Sequence, residues 1–297
     1  MAFMDKLKVL WGKAFVGGEW KVGYRLRNEP HGQYCLVDTP AGTWAADPFL
    51  YEANGEHYLF VELYEEKKNK ACIAYYRFID GVPVYQDKII DQPYHMSYPC
   101  VFEHKGEHYM VPETSANGTI DLYKAVEFPN HWELSATLLS GEKYVDSTVW
   151  RYDDSLCLIS YKKTKNAWQL VFFDLDIDKQ KLSVNYSIDY SENSARPAGN
   201  MLFDNEFYRP AQDCRRKYGE ALLFYQVILE EHGAFKEQLH HELKVTDIKI
   251  EATVARVHTY NRDSVFEVVD IFEERFDIAH GLKIFWRAYM LKWFKGK

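Results

Sequence analysis

The chain has 297 residues, of which 47% are hydrophobic and 27% charged, with a formal net charge of −8. An acidic chain of this kind offers no broad phosphate-binding face, so nucleic acid is excluded as a partner. Aromatic residues at 16% can offset the entropy of ordering, which excludes dominant disorder and favours β structure.

The chain starts with an amphipathic segment, residues 1–18. Phe3, Leu7, Leu10, Trp11 and Ala14 stand at helical spacing, with Lys6, Lys8 and Lys13 elsewhere. The segment lacks an apolar core followed by a small-residue cleavage site, so it does not read as a signal peptide. Five scattered cysteines (Cys35, Cys72, Cys100, Cys157, Cys214) and no C-x-x-C pair fit a reducing compartment, and the expected location is cytoplasmic.

A repeat then sets the architecture. Residues 47–62, DPFLYEANGEHYLFVE, align without gaps on residues 98–113, YPCVFEHKGEHYMVPE, with seven identities in sixteen positions. Each copy reads as a β-hairpin, an apolar strand, a turn at Ala53-Asn54-Gly55 or His104-Lys105-Gly106, and a second apolar strand. Weaker copies start at 146, 196 and 258, so the steps are 51, 48, 50 and 62 residues. Strand-like runs such as Ala71–Phe78, Ile120–Ala125 and Gln169–Asp174 lie between them. Four strands in about fifty residues, five times over, predict an all-β fold with a single five-bladed β-propeller over residues 19–270. Residues 271–297 follow as a basic amphipathic C-terminal helix. Within 281–297, Leu282, Phe285, Trp286, Tyr289, Met290, Trp293 and Phe294 share one face, and Lys283, Arg287, Lys292, Lys295 and Lys297 take the remainder. Two readings are open for the terminal helices: packing on the propeller, or lying on an anionic membrane surface.

In a propeller the innermost strand of each blade lines the axis, so position one of every repeat lies at a channel mouth. That ring is Asp47, Tyr98, Asp146, Arg196 and His258. The second strand returns to the same side and adds Glu62, Glu113 and Gln212. With Arg209, these form a polar funnel. Like charges in a partly desolvated pit raise one another's pKa and arginines lower it, which separates acid from base roles. Paired carboxylates are the machinery of glycosyl transfer, so Asp47, Glu113 and Asp146 are the candidate catalytic residues. Glu62, Tyr98, Arg196, Arg209, Gln212, Asp213 and His258 are the candidate substrate-binding residues, and Trp44, Tyr98, Tyr208 and Tyr218 could stack on sugar faces. Each has a plain alternative: Asp47-Pro48 as a strand-entry turn, Asp146 as a turn cap, Glu113 as a solvated edge charge. His57 and His108 recur at one repeat position, where a structural cross-strand role is expected. His240-His241 lacks a partner at metal-ligand spacing, and Asp174-Leu175-Asp176 reads as a strand end. Neither a metal nor a cofactor is expected, and no Gly-rich phosphate loop occurs.

These residues support a resemblance. Ala46-Asp47-Pro48 resembles the first-blade start of the five-bladed propeller glycosidases, the clan of arabinanases, xylosidases, invertases and levansucrases. Ser97-Tyr98-Pro99, Pro112-Glu113-Thr114, Arg196-Pro197-Ala198-Gly199, Tyr208-Arg209-Pro210-Ala211-Gln212-Asp213, Tyr218-Gly219 and His258-Thr259 resemble more closely a propeller of plant glucosamine inositolphosphorylceramide transferases, found in their N-terminal part, and of bacterial surface-polysaccharide proteins. In the glycosidase clan a first-blade Asp is base or nucleophile, a third-blade Asp tunes pKa or holds substrate, and a Glu is the acid. The resemblance therefore implies the first role for Asp47 and the second for Asp146. Blade four departs, with Arg196 at the ring position, and Glu113 in blade two is the acid that is left. Arginines at the mouth suit a phosphate-bearing donor or acceptor. The leading expectation is glycosyl transfer in surface-polysaccharide or glycolipid assembly at the cytoplasmic membrane face, on a carbohydrate that is phosphate-bearing or lipid-linked. The alternatives are a glycoside hydrolase and a non-catalytic sugar-binding propeller.

Overall fold

The computed structural model describes residues 16–29, 31–152, 154–229 and 235–276. Two strands, β1 (Val16–Leu26) and β2 (Cys35–Leu36), precede the first repeat. Blade one is β3 (Thr43–Ala53), β4 (Glu56–Glu65), β5 (Lys70–Ile79) and β6 (Val82–Ile90). Blade two is β7 (Ser97–His104), β8 (Glu107–Thr114), β9 (Thr119–Glu127) and β10 (His131–Ser140). Blade three is β11 (Val145–Tyr152), β12 (Ser155–Lys163), β13 (Trp168–Asp176) and β14 (Lys181–Tyr190). Blade four has a broken inner strand, β15 (Arg196–Pro197) and β16 (Leu202–Asp204), both paired to β17 (Glu206–Asp213), then β18 (Ala221–Leu229) and β19 (Phe235–Lys244). Blade five is β20 (Val254–Arg262) and β21 (Phe266–Phe276), completed by β1 and β2. The five-bladed propeller read from the repeat is the fold.

The ring closes by pairing the chain's start with its end. β1 runs antiparallel to β21 from Val16↔Phe276 to Leu26↔Phe266. Blade five is thus built from both ends of the described chain, which ties the ring shut. It also moves two boundaries: residues 16–18 and 271–276 belong to strands, not to terminal helices. The rest of the two segments expected to be helical lies outside the described residues.

Local chemistry accounts for the strands. Asn54-Gly55 and Lys105-Gly106 both have positive φ at both turn residues, as a tight two-residue hairpin requires. Inner strands are covered on both faces by neighbouring blades and read as apolar runs, such as Tyr58–Val61 in β4. The outer strand β14 is largely exposed and alternates. The repeated histidines join blades: His57 Nδ1 lies 2.7 Å from Asp263 Oδ2 of blade five, and His108 Nδ1 lies 2.9 Å from the Tyr51 hydroxyl of blade one. Their role is structural, as expected, but it runs between blades and not between strands of one hairpin.

One local feature positions the site. In blades one, two, three and five the inner strand bulges at position one, between Ala46 and Phe49, Ser97 and Cys100, Val145 and Thr148, and Val257 and Tyr260. Asp47 (φ 46°), Tyr98 (φ 48°) and Asp146 (φ 51°) are held there in the left-handed region. For residues with a Cβ this costs about 1–3 kcal/mol each and persists only where surrounding contacts enforce it. The bulge turns an inner-strand side chain toward the axis and takes its N–H out of the ladder.

Candidate active site

The freed N–H groups explain much of the ring. Asp270 Oδ2 accepts the N–H of Asp47 (2.9 Å), Asp47 Oδ2 that of Tyr98 (3.2 Å), and Glu113 Oε2 that of Asp146 (3.1 Å). Each carboxylate therefore braces position one of the next blade, satisfying a buried donor that would otherwise be costly.

Two charge clusters stand on this frame. In the first, His258 is clamped between carboxylates, with Nδ1 2.5 Å from Asp270 Oδ2 and Nε2 3.4 Å from Asp47 Oδ1. Its ring stacks on Trp20 of β1, with centroids 4.0 Å apart, so the closing strand forms one wall of the site. Burial works against the charged imidazole, but Asp270 and then Asp47 outweigh it and raise His258 to about 9. Asp47 is 4% exposed and also accepts the Thr259 hydroxyl at 2.7 Å. Burial is the main cause that pushes it up to about 7; Glu62, Asp146 and Asp270 add to the rise and His258 opposes it.

The ligand atoms of Asp47, His258 and Asp270 lie within 4.8 Å of one another, a spacing a cation site would need. Asp270 and His258 are already engaged. Asp270 accepts the N–H groups of Asp47, His258 and Thr259, and a raised histidine pKa favours the protonated ring, which has no lone pair to give. The trio shares charge around an imidazolium.

The second cluster is open to solvent. Arg196 forks onto Asp146, with Nη2 3.2 Å from Oδ1 and Nε on Oδ2, and Gln212 Nε2 donates to the same carboxylate at 2.9 Å. Glu113 accepts the Ser115 hydroxyl at 2.6 Å and lies 3.7 Å from Arg196 Nη2. Burial first, then Asp146, push Glu113 up to about 8, with Arg196 and Ser115 opposing. The side chains of Arg196 and Glu113 are 23% and 13% exposed, against 2% for Asp146. Solvent reaches this cluster first. Tyr218 stands at its rim, beneath the Arg196 guanidinium at 5.4 Å. Across the funnel Glu62 Oε1 meets His95 Nε2 at 3.2 Å, and Trp44 stacks on Tyr64 at 4.4 Å.

The structure thus gathers Asp47, Glu62, Glu113, Asp146, Arg196, Gln212 and His258. Three expected members belong elsewhere. Arg209 is buried within blade four, forked onto Glu237 (2.8 and 2.7 Å), with Nη1 on the Ala195 carbonyl. Asp213 clasps its own loop through the backbone N–H and guanidinium of Arg215. Tyr98 contributes its N–H to Asp47, but its side chain is fully buried across the axis, hydrogen bonded to Thr148 and Gly199, and offers no surface to a substrate. Tyr208 lies in a separate cleft between blades four and five. The residues not anticipated are Asp270, Thr259, Trp20, Ser115 and His95. Asp270 lies on the return strand of the last repeat, where shorter strand arms (His258 to Arg262, against Asp47 to Ala53) displace it from the Glu62 and Glu113 alignment, and that was its available signal.

A five-bladed propeller with a carboxylate-rich mouth defines the class, and the comparisons agree on the fold. A family 117 glycoside hydrolase of Zobellia galactanivorans superposes with a TM-score of 0.55 over 88% of this chain and 92% of its own, at 10% identity. A family 32 β-fructofuranosidase of Bombyx mori gives 0.59 over 88% and 59%, also at 10% identity. Sequence is more specific. Residues 36–265 match the family described as glucosamine inositolphosphorylceramide transferase 1, N-terminal, and the chain belongs to that family. The glucosamine inositolphosphorylceramide transferase 1 of Arabidopsis thaliana is 30% identical over 202 residues, which are 63% of this chain and 26% of that protein. The chain spans little more than a quarter of the length of the curated relatives it matches.

Proposed function

We propose that the funnel binds a carbohydrate and carries out glycosyl transfer, with Glu113 as general acid and Asp47 as general base. The carrying observation is Glu113: a carboxyl at a solvent-reached mouth, raised to about 8, so that it holds a proton near neutrality. Glu113 protonates the oxygen of the leaving group. Asp47, raised to about 7, takes the proton of the incoming hydroxyl. Asp146 faces Arg196, keeping that guanidinium engaged beside the acid. Trp44, Tyr64 and Tyr218 are the aromatic surfaces available to a sugar ring at the rim.

The ring arginine, Arg196, already has carboxylate partners in Asp146 and Glu113, which favours a neutral sugar in the funnel. The charged part of a phosphate-bearing or lipid-linked substrate would then face the rim loop of Arg215, Arg216 and Lys217. A glycolipid or surface-polysaccharide acceptor at the cytoplasmic membrane face is the finer form of this reading. Its support is the five cations and absent acids of 281–297 and the name of the family. Among the described residues no helix is long and apolar enough to cross a membrane. Flotation of the full chain with anionic vesicles, weakened by salt and by W286A/W293A, tests that form; flotation with neither change having an effect would overturn it.

The bracing N–H contacts favour a second reading, a non-catalytic sugar-binding propeller, because they give Asp47 and Glu113 a structural task. Incubation with aryl glycosides and activated sugar donors, with and without an acceptor, separates the two. Turnover that Glu113→Gln lowers by about 10²–10⁴-fold, with sugar binding kept, supports acid catalysis. Release of sugar without acceptor gives hydrolysis instead, and binding without turnover gives the second reading.

A further inference from the structure

A cleft of about 340 Å³ lies between blades four and five and shares no residue with the funnel. It reaches the hairpin-turn ends of the inner strands, where Asp204 closes β16, Arg262 closes β20 and Arg25 nears the end of β1, and runs outward along β19 to Leu243. The funnel residues Glu62 and Gln212 instead face the axis, so the two sites have separate walls. The cleft arises at the one irregular step of the repeat, the 62 residues between 196 and 258. Residues 245–253, which the other blades do not match in length, cross from blade four to five and supply Asp247 and Ile248 to its wall.

Its two sides differ in chemistry. One is aromatic: Tyr208 and His240 have ring centroids 4.9 Å apart, and exposed His241 lies flat on buried Phe224 at 4.3 Å and 5°. Burial, and then His240, hold His241 below the usual imidazole range, so it remains a neutral platform near pH 7. The other side is built of paired charges. Arg25 forks onto Glu267 at 2.9 and 2.7 Å while stacking on Tyr34 at 4.4 Å, and Arg262 meets Asp204 at 2.6 Å. Arg25 places two N–H groups on one oxygen of Glu267 and Arg262 meets Asp204 through one nitrogen, so both guanidiniums have their charge offset and keep further donors free. Three carboxylates (Asp204, Asp247, Glu267) stand against two guanidiniums (Arg25, Arg262), so the cleft has no net attraction for an anion. An apolar wall facing a few convergent polar groups, in a volume at the lower end of small-molecule sites of about 300–1,000 Å³, suits a compact neutral ligand with one apolar face and a polar edge.

We propose that this cleft is a second carbohydrate site, which holds a neutral sugar ring against Tyr208, His240 and His241 with its hydroxyl edge toward the Arg25–Glu267 and Arg262–Asp204 pairs. The ligand class follows the proposed function, but the residues do not, so each can fail alone. A glycan that is long enough would be gripped at both sites, the cleft anchoring a chain whose end is worked on at the funnel.

The test is saturation-transfer NMR and titration calorimetry with methyl β-glucopyranoside, methyl α-mannopyranoside and methyl N-acetyl-β-glucosaminide, on the full chain. Binding of at least one glycoside that persists in W44A/Y218A, which strips aromatic surface from the funnel, and weakens tenfold or more in H240A/H241A supports the cleft. Both histidines are exposed, so the double variant should fold; equal melting temperatures check this. If it does not fold, the histidine ring C–H resonances of the wild-type protein give the same reading, since they should shift with glycoside. No glycoside binding at millimolar concentration overturns the proposal. So does binding that only W44A/Y218A abolishes, which would leave the funnel as the sugar site. A response of His240 and His241 to inorganic phosphate and not to glycosides overturns the ligand class.

Discussion

Blades one and four reach the same axis by opposite means. Blade one sends an unbroken eleven-residue strand through a left-handed Asp47, whose carboxylate is buried and braces blade two. Blade four sends two residues, Arg196 and Pro197, leaves the ladder, and resumes at Leu202. The break is fitted around Tyr98: its hydroxyl accepts the Gly199 N–H at 2.6 Å and reaches the Gly199 carbonyl at 3.3 Å. Gly199 has φ +132°, and a Cβ there would lie 2.0 Å from the Tyr260 carbonyl oxygen. Blade four therefore gives up a strand to let three blades meet. Its Arg196 then supplies the positive charge that Asp146 lacks within its own blade. The funnel is asymmetric for that reason: carboxylates from blades one, two, three and five, and a guanidinium from blade four.

The sharpest way to break this contrast is Gly199→Ala. A backbone overlap of that depth, at a φ that side chains rarely adopt, should cost more than about 4 kcal/mol and leave little soluble protein. The matched change in blade one, Gly55→Ala in an open turn, meets no atom within 4 Å and should cost only about 1 kcal/mol through its positive φ. Thermal melts of the two variants compare the blades directly. Near-equal losses would show that the axial meeting point is not as tight as described.

Next in size is Arg196→Met. It leaves the Asp146 carboxylate buried with Gln212 as its remaining side-chain donor, and breaking a buried pair in this way costs roughly 3 kcal/mol. Adding Asp146→Asn to it should recover much of the loss, since the unpaired charge is then gone. No recovery in the double variant would mean that Arg196 acts through packing on Tyr218.

How much of this was legible follows from strand geometry. Asp47, Tyr98, Asp146 and His258 could be placed because each opens the first strand of a recurring hairpin. Arg209 and Asp213 were misplaced for a reason written in the same sequence: on a strand, residues one or three apart from Gln212 point to the opposite face. With Gln212 facing the axis, both had to face away. Trp20 could not be placed, because it reaches His258 only through closure of β1 on β21, a pairing that joins the two ends of the ring. The bulges left no sequence mark either. Asp, Tyr and Asp at left-handed positions look like ordinary strand residues until the N–H groups they free are traced to carboxylates.

Protonation offers a smaller, graded test of the same contrast. Asp47 at about 7, Glu113 at about 8 and His258 at about 9 all lie above their unfolded values, so the folded protein binds more protons than the unfolded one. Their stabilising contribution is complete below the unfolded values and is lost as pH rises through the folded ones. Stability should therefore fall from about pH 4 to 8 on account of the carboxyls, and from about 6.5 to 9 on account of His258. Asp47→Asn fixes the neutral form, so relative to wild type it should gain roughly 2 kcal/mol between pH 5 and pH 8. Melts at pH 5, 7 and 9 measure it. A difference between the two proteins that is independent of pH would place the titration elsewhere in the funnel.

The smallest effect expected is at the repeated histidines, which hold blades together away from the axis. His57 meets Asp263 of blade five at 2.7 Å and His108 meets Tyr51 of blade one at 2.9 Å. Asp263 also accepts the N–H groups of Val265 and Phe266 in the turn of blade five, so losing His57 leaves it with partners. His57→Ala should then cost about 1 kcal/mol, the net worth of one polar contact. His108 packs on Phe128 with centroids 4.1 Å apart, so His108→Ala also forfeits ring packing and should cost more, about 2 kcal/mol. Because the two sites belong to different blade boundaries, the double variant should lose the sum of the two. A loss well beyond the sum in denaturant melts would show that the boundaries between blades one and five and between blades one and two open together. The ring would then behave as a single cooperative unit, although its parts satisfy the axis so differently.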